Sequence, residues 1–113
     1  MSNFHEQNVP VSGKEDLEFE GKLVASGKGY FTDDYGKSRE EALELYQTKG
    51  GNFVAARSVD YGDISEDTAE VFEGKEQLLE SITDFFGHTD AAKSVYSEAN
   101  GKGLDIKSTR RIS

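Results

Sequence analysis

The chain has no cysteine and no tryptophan, and only one proline and two histidines in 113 residues. Without cysteine there is no disulfide framework, no thiolate zinc site and no cysteine nucleophile. Basic residues are scarce as well. Lysine and arginine number 13 against 22 acids, a net charge of −9, which disfavours direct contact with nucleic-acid phosphates or an anionic membrane. No apolar run approaches the roughly 18 residues of a membrane span. Met1-Ser2-Asn3-Phe4-His5-Glu6 has neither the basic start nor the apolar stretch of a signal peptide. These absences point to a soluble, cytoplasmic domain, without membrane contact.

The charge is unevenly placed. Residues 1–73 hold 16 acids and 7 bases, whereas residues 74–113 hold 6 of each. The acidic part is also the part that reads as sheet. It presents either a solvated face that resists aggregation or an acidic surface for a basic partner.

Residues 1–14 are polar, lack a period and carry the lone Pro10, so they are expected to form a flexible arm. A single domain over 15–107 and a basic tail over 108–113 complete the expected organisation. Leu17-Glu18-Phe19-Glu20-Gly21-Lys22-Leu23 alternates as a half-buried strand does. Gly21 lies among the apolar positions, where a bulge or a close neighbour would explain it. The Gly-rich stretch from Ala25 to Tyr30 either turns or continues the strand. Ser38-Arg39-Glu40-Glu41 has the form of a capping box. The alternation of Leu43 and Leu45 with Glu44 and Tyr46, followed by Gly50-Gly51, favours strand for what comes next. Gly50-Gly51 between two β-rich runs reads as a hairpin in which both glycines take positive φ. Phe53, Ala55, Arg57, Val59 and Tyr61 line one side of the returning strand. An acidic loop is expected over 62–67 and a short strand over 68–73.

The period then changes. Leu78, Leu79, Ile82, Phe85 and Phe86 form one helical face, and Gly87 ends that helix. Thr89 caps a second helix, whose stripe is Ala92, Val95, Tyr96 and Ala99. Strands followed by helices predict an α+β fold: an antiparallel sheet of about four to five strands, with two C-terminal helices packed on one face.

Catalytic chemistry has little support. Gly27-Lys28-Gly29 is too short for a phosphate loop. His88 with Asp84 or Asp90 lacks further metal ligands. Asp60, Asp63, Glu66 and Asp67 resemble a calcium loop in composition but not in spacing. Glu44 and Asp60 would have to stand roughly 5–9 Å apart to act as a glycosidase pair. No metal or other cofactor is predicted. The candidate contacts are Tyr46 and Tyr61, either as exposed interface anchors or with one edge of each roofing the core, and Arg57, set among apolar neighbours, at the sheet margin or paired with Glu44 or Glu70 across strands. Asp105 joins them, with Leu104 and Ile106 pointing inward as a closing strand, or itself buried against a helix N-terminus or Arg57.

Four segments in order resemble the EXLDI family of small bacterial proteins: Phe19-Glu20-Gly21-Lys22-Leu23, Leu45-Tyr46-Gln47-Thr48-Lys49-Gly50-Gly51-Asn52-Phe53-Val54, Val71-Phe72 with the helix at Leu78-Leu79, and Leu104-Asp105-Ile106. Lys102 stands where the family's signature glutamate belongs. The resemblance implies no catalytic residue and no cofactor. The functional expectation is a non-enzymatic module that binds a protein partner or a small ligand, with a homodimer possible. The alternatives are an acidic inhibitor that mimics nucleic acid and a small enzyme with a carboxylate/tyrosine site.

Overall fold

In the computed structural model, which describes residues 3–107 and Ile112, five antiparallel strands run as a meander and two helices follow. The strands are β1 (His5–Val9), β2 (Leu17–Thr32), β3 (Ser38–Thr48), β4 (Phe53–Asp60) and β5 (Ser65–Phe72), paired in sequence order. The helices are α1 (Gly74–Phe86) and α2 (Asp90–Gly101). α2 lies across β2 and β3, and α1 rests on β4 and β5. The α+β fold expected from the order of elements is the observed one.

The strands alternate as their sequences require. Leu43, Leu45, Phe53, Ala55 and Phe72 face the helices, where Leu78, Ile82, Phe86, Ala92, Val95, Tyr96 and Ala99 meet them. Each large side chain fully buried there contributes about 1.5–3 kcal/mol. Both helix boundaries follow their local chemistry. Gly87, at φ 72°, donates its N–H to the Thr83 carbonyl, and the Thr89 hydroxyl accepts from the Ala92 N–H.

The far face of the sheet holds a second, smaller cluster: Val9, Tyr46, Val54 and Ala56, with Leu17, Phe19 and Ala69 against it. It exists because the sheet curls. The Ser12 N–H donates to the Asp67 carbonyl at 2.8 Å, and the Asp67 N–H donates to the Ser12 hydroxyl at 2.8 Å. The loop after β1 thereby reaches the outer strand β5.

Several expectations are corrected. The segment read as a flexible arm over 1–14 contains β1, in register with β2 from His5↔Gly21 to Val9↔Leu17. A strand with one buried apolar residue, Val9, has no period to betray it. Of the two readings of the Gly-rich stretch, the continuing strand holds, and β2 runs on to Thr32. The capping-box residues Ser38 to Glu41 are strand, because β3 pairs on both sides. Ser65-Glu66-Asp67 belongs to β5 rather than to a loop. In the β3–β4 hairpin only Gly51 takes a positive φ, 88°. Its N–H donates to the Thr48 carbonyl at 3.0 Å, as in a three-residue loop with a glycine bulge. Of the two explanations for Gly21, the close neighbour holds: a Cβ there would meet the Phe19 ring at 2.7 Å, and the bulge in β2 lies instead between Leu23 and Ala25. Leu104-Asp105-Ile106 is not a strand. Asn100 holds Ile106 instead, accepting from its N–H at 2.7 Å and donating to its carbonyl at 3.0 Å. The basic tail expected over 108–113 lies outside the described residues, except Ile112.

Candidate functional site

Four predicted contacts fall at four separate places. Tyr46 is on the face away from the helices, edge-on to Phe19 at 5.5 Å, with its hydroxyl donating to Glu44 at 2.9 Å. Burial first, then the hydrogen bond and charge of Glu44, push that hydroxyl up to about 12. Arg57 points the other way. Its Nε donates to Glu41 at 3.0 Å and its guanidinium lies 5.4 Å from the centre of the Phe31 ring. The partner is neither Glu44 nor Glu70, because β3 and β4 place Glu41 and Arg57 together on the helix side. Tyr61 stands beyond the end of β4, under the Arg39 guanidinium at 4.9 Å. Asp105 is exposed and pairs with Lys107 at 3.1 Å; it is not buried against Arg57.

A small cavity of about 210 Å³ inside the curl is lined by Glu44, Tyr46, Asp67 and Arg57, among others. The Arg57 guanidinium is nevertheless committed to Glu41 on the opposite side of the sheet, so it does not complete an acid–base set with Tyr46. Glu44 faces Ala56, four residues from Asp60 on the same strand. At about 3.3 Å per residue that separates the two by about 13 Å, too far for a glycosidase pair. Among the described residues no group of three or more potential ligands is placed to hold a metal.

A larger cavity lies elsewhere, on the helix side at the β3–β4 hairpin. It measures about 490 Å³, within the usual range of small-molecule sites. Its walls are built by the bulge. The extra residue in β2 puts Val24 beside Ala25 on the helix side and leaves Leu23 half-exposed, so Lys22, Leu23 and Val24 all border one opening. Gln47, Gly51 and Phe53 close it at the hairpin, Lys75 at the start of α1, and Lys102, Gly103 and Leu104 after α2. Among the described residues no acidic one lines it.

Each of its three lysines is held by a neutral group. The Lys102 ammonium donates to the Val24 carbonyl, at the bulge where the ladder is interrupted. Lys75 reaches the Gly103 carbonyl at 3.4 Å. Lys22 sits 5.3 Å from the centre of the Phe4 ring. None of the three has a carboxylate partner among the described residues; Lys14, Lys37 and Lys93 have none either, whereas Lys28, Arg39, Lys49, Arg57 and Lys107 do, so what sets the three apart is that they border one cavity. An ammonium carries three donors, so these contacts orient the lysines and leave donors and charge unspent. No pattern in the chain links the set, because Lys22 lies on β2, Lys75 on α1 and Lys102 just past the end of α2. Lys102 was legible only as the residue replacing a signature glutamate.

Compared with known proteins, the chain matches no family model, no curated protein and no solved structure. Among the described residues no helix is long and apolar enough to cross a membrane.

Proposed function

We propose that this chain is a non-enzymatic binding module whose ligand is a small organic molecule seated between the sheet and the ends of the two helices. The observation that supports this reading is the 490 Å³ cavity, with polar groups converging from β2, α1 and the segment after α2 on a wall that includes Leu23, Val24, Phe53 and Leu104. A concave site with a few placed polar groups is the ordinary form of a ligand pocket. The enzyme reading has less support, since the tyrosine, arginine and carboxylates named for it do not converge. The likeness to EXLDI proteins and a cytoplasmic setting belong to the proposal and rest on the sequence.

The test is amide chemical-shift mapping of the full chain against a mixed library of charged and neutral small molecules. Binders should perturb Val24, Gly51, Gly103 and Leu104 together. Perturbations confined to the Tyr46 side of the sheet, or to none of these residues, would remove the reading.

A further inference from the structure

The cavity is cationic on a protein that is strongly anionic. We infer that its ligand, if the binding reading above holds, is an amphipathic anion: a carboxylate or phosphate head group on a short apolar body. The head group is specified by Lys22, Lys75 and Lys102. Lys22, Lys75 and Lys102 border one cavity that no carboxylate among the described residues lines, and an anion seated there takes up their free donors in charge-assisted hydrogen bonds. Glu73 and Glu76 flank Lys75 along the chain, yet neither forms an ion pair with it among the described residues. With 22 acids available, three lysines bordering one cavity without a carboxylate partner mark a place where the missing charge is brought from outside.

The body is specified by the wall. Leu104, half-buried, offers apolar surface at the opening, and Val24 and Phe53 back it from the core. A purely inorganic anion would leave that surface wet. A molecule with an apolar part covers it, and each methylene buried contributes about 0.8 kcal/mol. The surrounding acidic surface supplies selectivity, because it repels large polyanions while the cavity accepts a small one.

Titration of the full chain with octanoate, octyl phosphate, octan-1-ol and inorganic phosphate, followed by amide shifts, tests the inference. Octanoate and octyl phosphate should perturb Val24, Gly51 and Gly103 and bind at least tenfold more tightly than octan-1-ol or inorganic phosphate. The tighter of the two names the head group. Lys22→Gln and Lys75→Gln should each weaken the anions several-fold and leave octan-1-ol unchanged. Lys102→Gln should do the same, but Lys102 also braces Val24, so the other two variants decide if its Tm falls. Octan-1-ol binding in the cavity as tightly as octanoate would overturn the anion and leave the binding module standing. Inorganic phosphate as tight as octyl phosphate would overturn the apolar body. Failure of every probe, charged and neutral, to perturb the cavity would overturn this inference, and failure of the mixed library as well would overturn the binding reading.

Discussion

Glu41 is the one charged side chain among the described residues that is fully buried, at 1 % exposure. It is satisfied from two sides. Arg57 donates to one oxygen, and the Thr89 hydroxyl donates to the other while capping α2. The same residue therefore ties β3 to β4 and to the start of α2. Removing one member of a buried pair is costly because the other charge stays behind. Arg57→Leu should lower stability by about 3 kcal/mol on that account. Glu41→Met with Arg57→Leu should recover most of the loss, since an apolar pair leaves no charge unsatisfied. Urea midpoints of the two single variants and the double variant check this. Losses that simply add would mean that Glu41 and Arg57 are not coupled. The sequence offered Arg57 as an oddity and hid Glu41 inside an apparent capping box. Side-chain alternation along β3 was the signal that could have found it.

Among the elements, β2 decides where the helices sit. Ala25, Gly27 and Gly29 face α2, and a Cβ on Gly27 would stand 2.2 Å from the Ala91 carbonyl oxygen. The glycines are thus the absence of side chains along the track of a helix. Gly27→Ala should cost about 1–3 kcal/mol through overpacking, read as a lower urea midpoint, whereas Gly36→Ala cannot serve as its equal because Gly36 is constrained by a φ of 79° rather than by a neighbour. An unchanged midpoint for Gly27→Ala would show that α2 can move away at no cost. Beyond the end of β1, α2 also covers the open edge of β2: Glu98 accepts from the Ser26 N–H at 2.8 Å, and Lys102 holds Val24. The two helices, their caps and the alternation of β3 and β4 were legible, because each is written in a local period. β1 was not, because its partner is supplied by the hairpin geometry rather than by its own composition. The bulge was displaced by three residues from the glycine that suggested it. The cavity was illegible for the same reason as β1: its residues are neighbours only after the bulge and both helix ends are in place.

At the scale of the whole molecule, alkali tests how the two clusters hold together. Tyr46 lies in the cluster inside the curl and Tyr96 in the core beneath the helices. Burial, and then the charge of Glu41, push the Tyr96 hydroxyl up to about 12, as burial and Glu44 do for Tyr46. Both groups hold their protons more tightly in the folded chain than at the ordinary 10.0. Their contribution is fully present below pH 10 and is lost as pH rises through about 12. Absorbance at 295 nm, a wavelength chosen for tyrosinate, should show three of the five tyrosines ionising late, Tyr46 and Tyr96 through burial and Tyr30 through its hydrogen bond to Glu40, with loss of ellipticity as the two buried ones ionise. Complete ionisation near pH 10 with the fold intact would refute it. The tie between Ser12 and Asp67 has a consequence for how the molecule meets its own copies. A meander has two outer strands, and each outer strand is a template on which another chain can pair. Asp67 is the third residue of β5, and both its N–H and its carbonyl are already taken by Ser12. A second copy adding itself to that strand would first have to pull the loop away, so the contact that curls the sheet also guards it against growing.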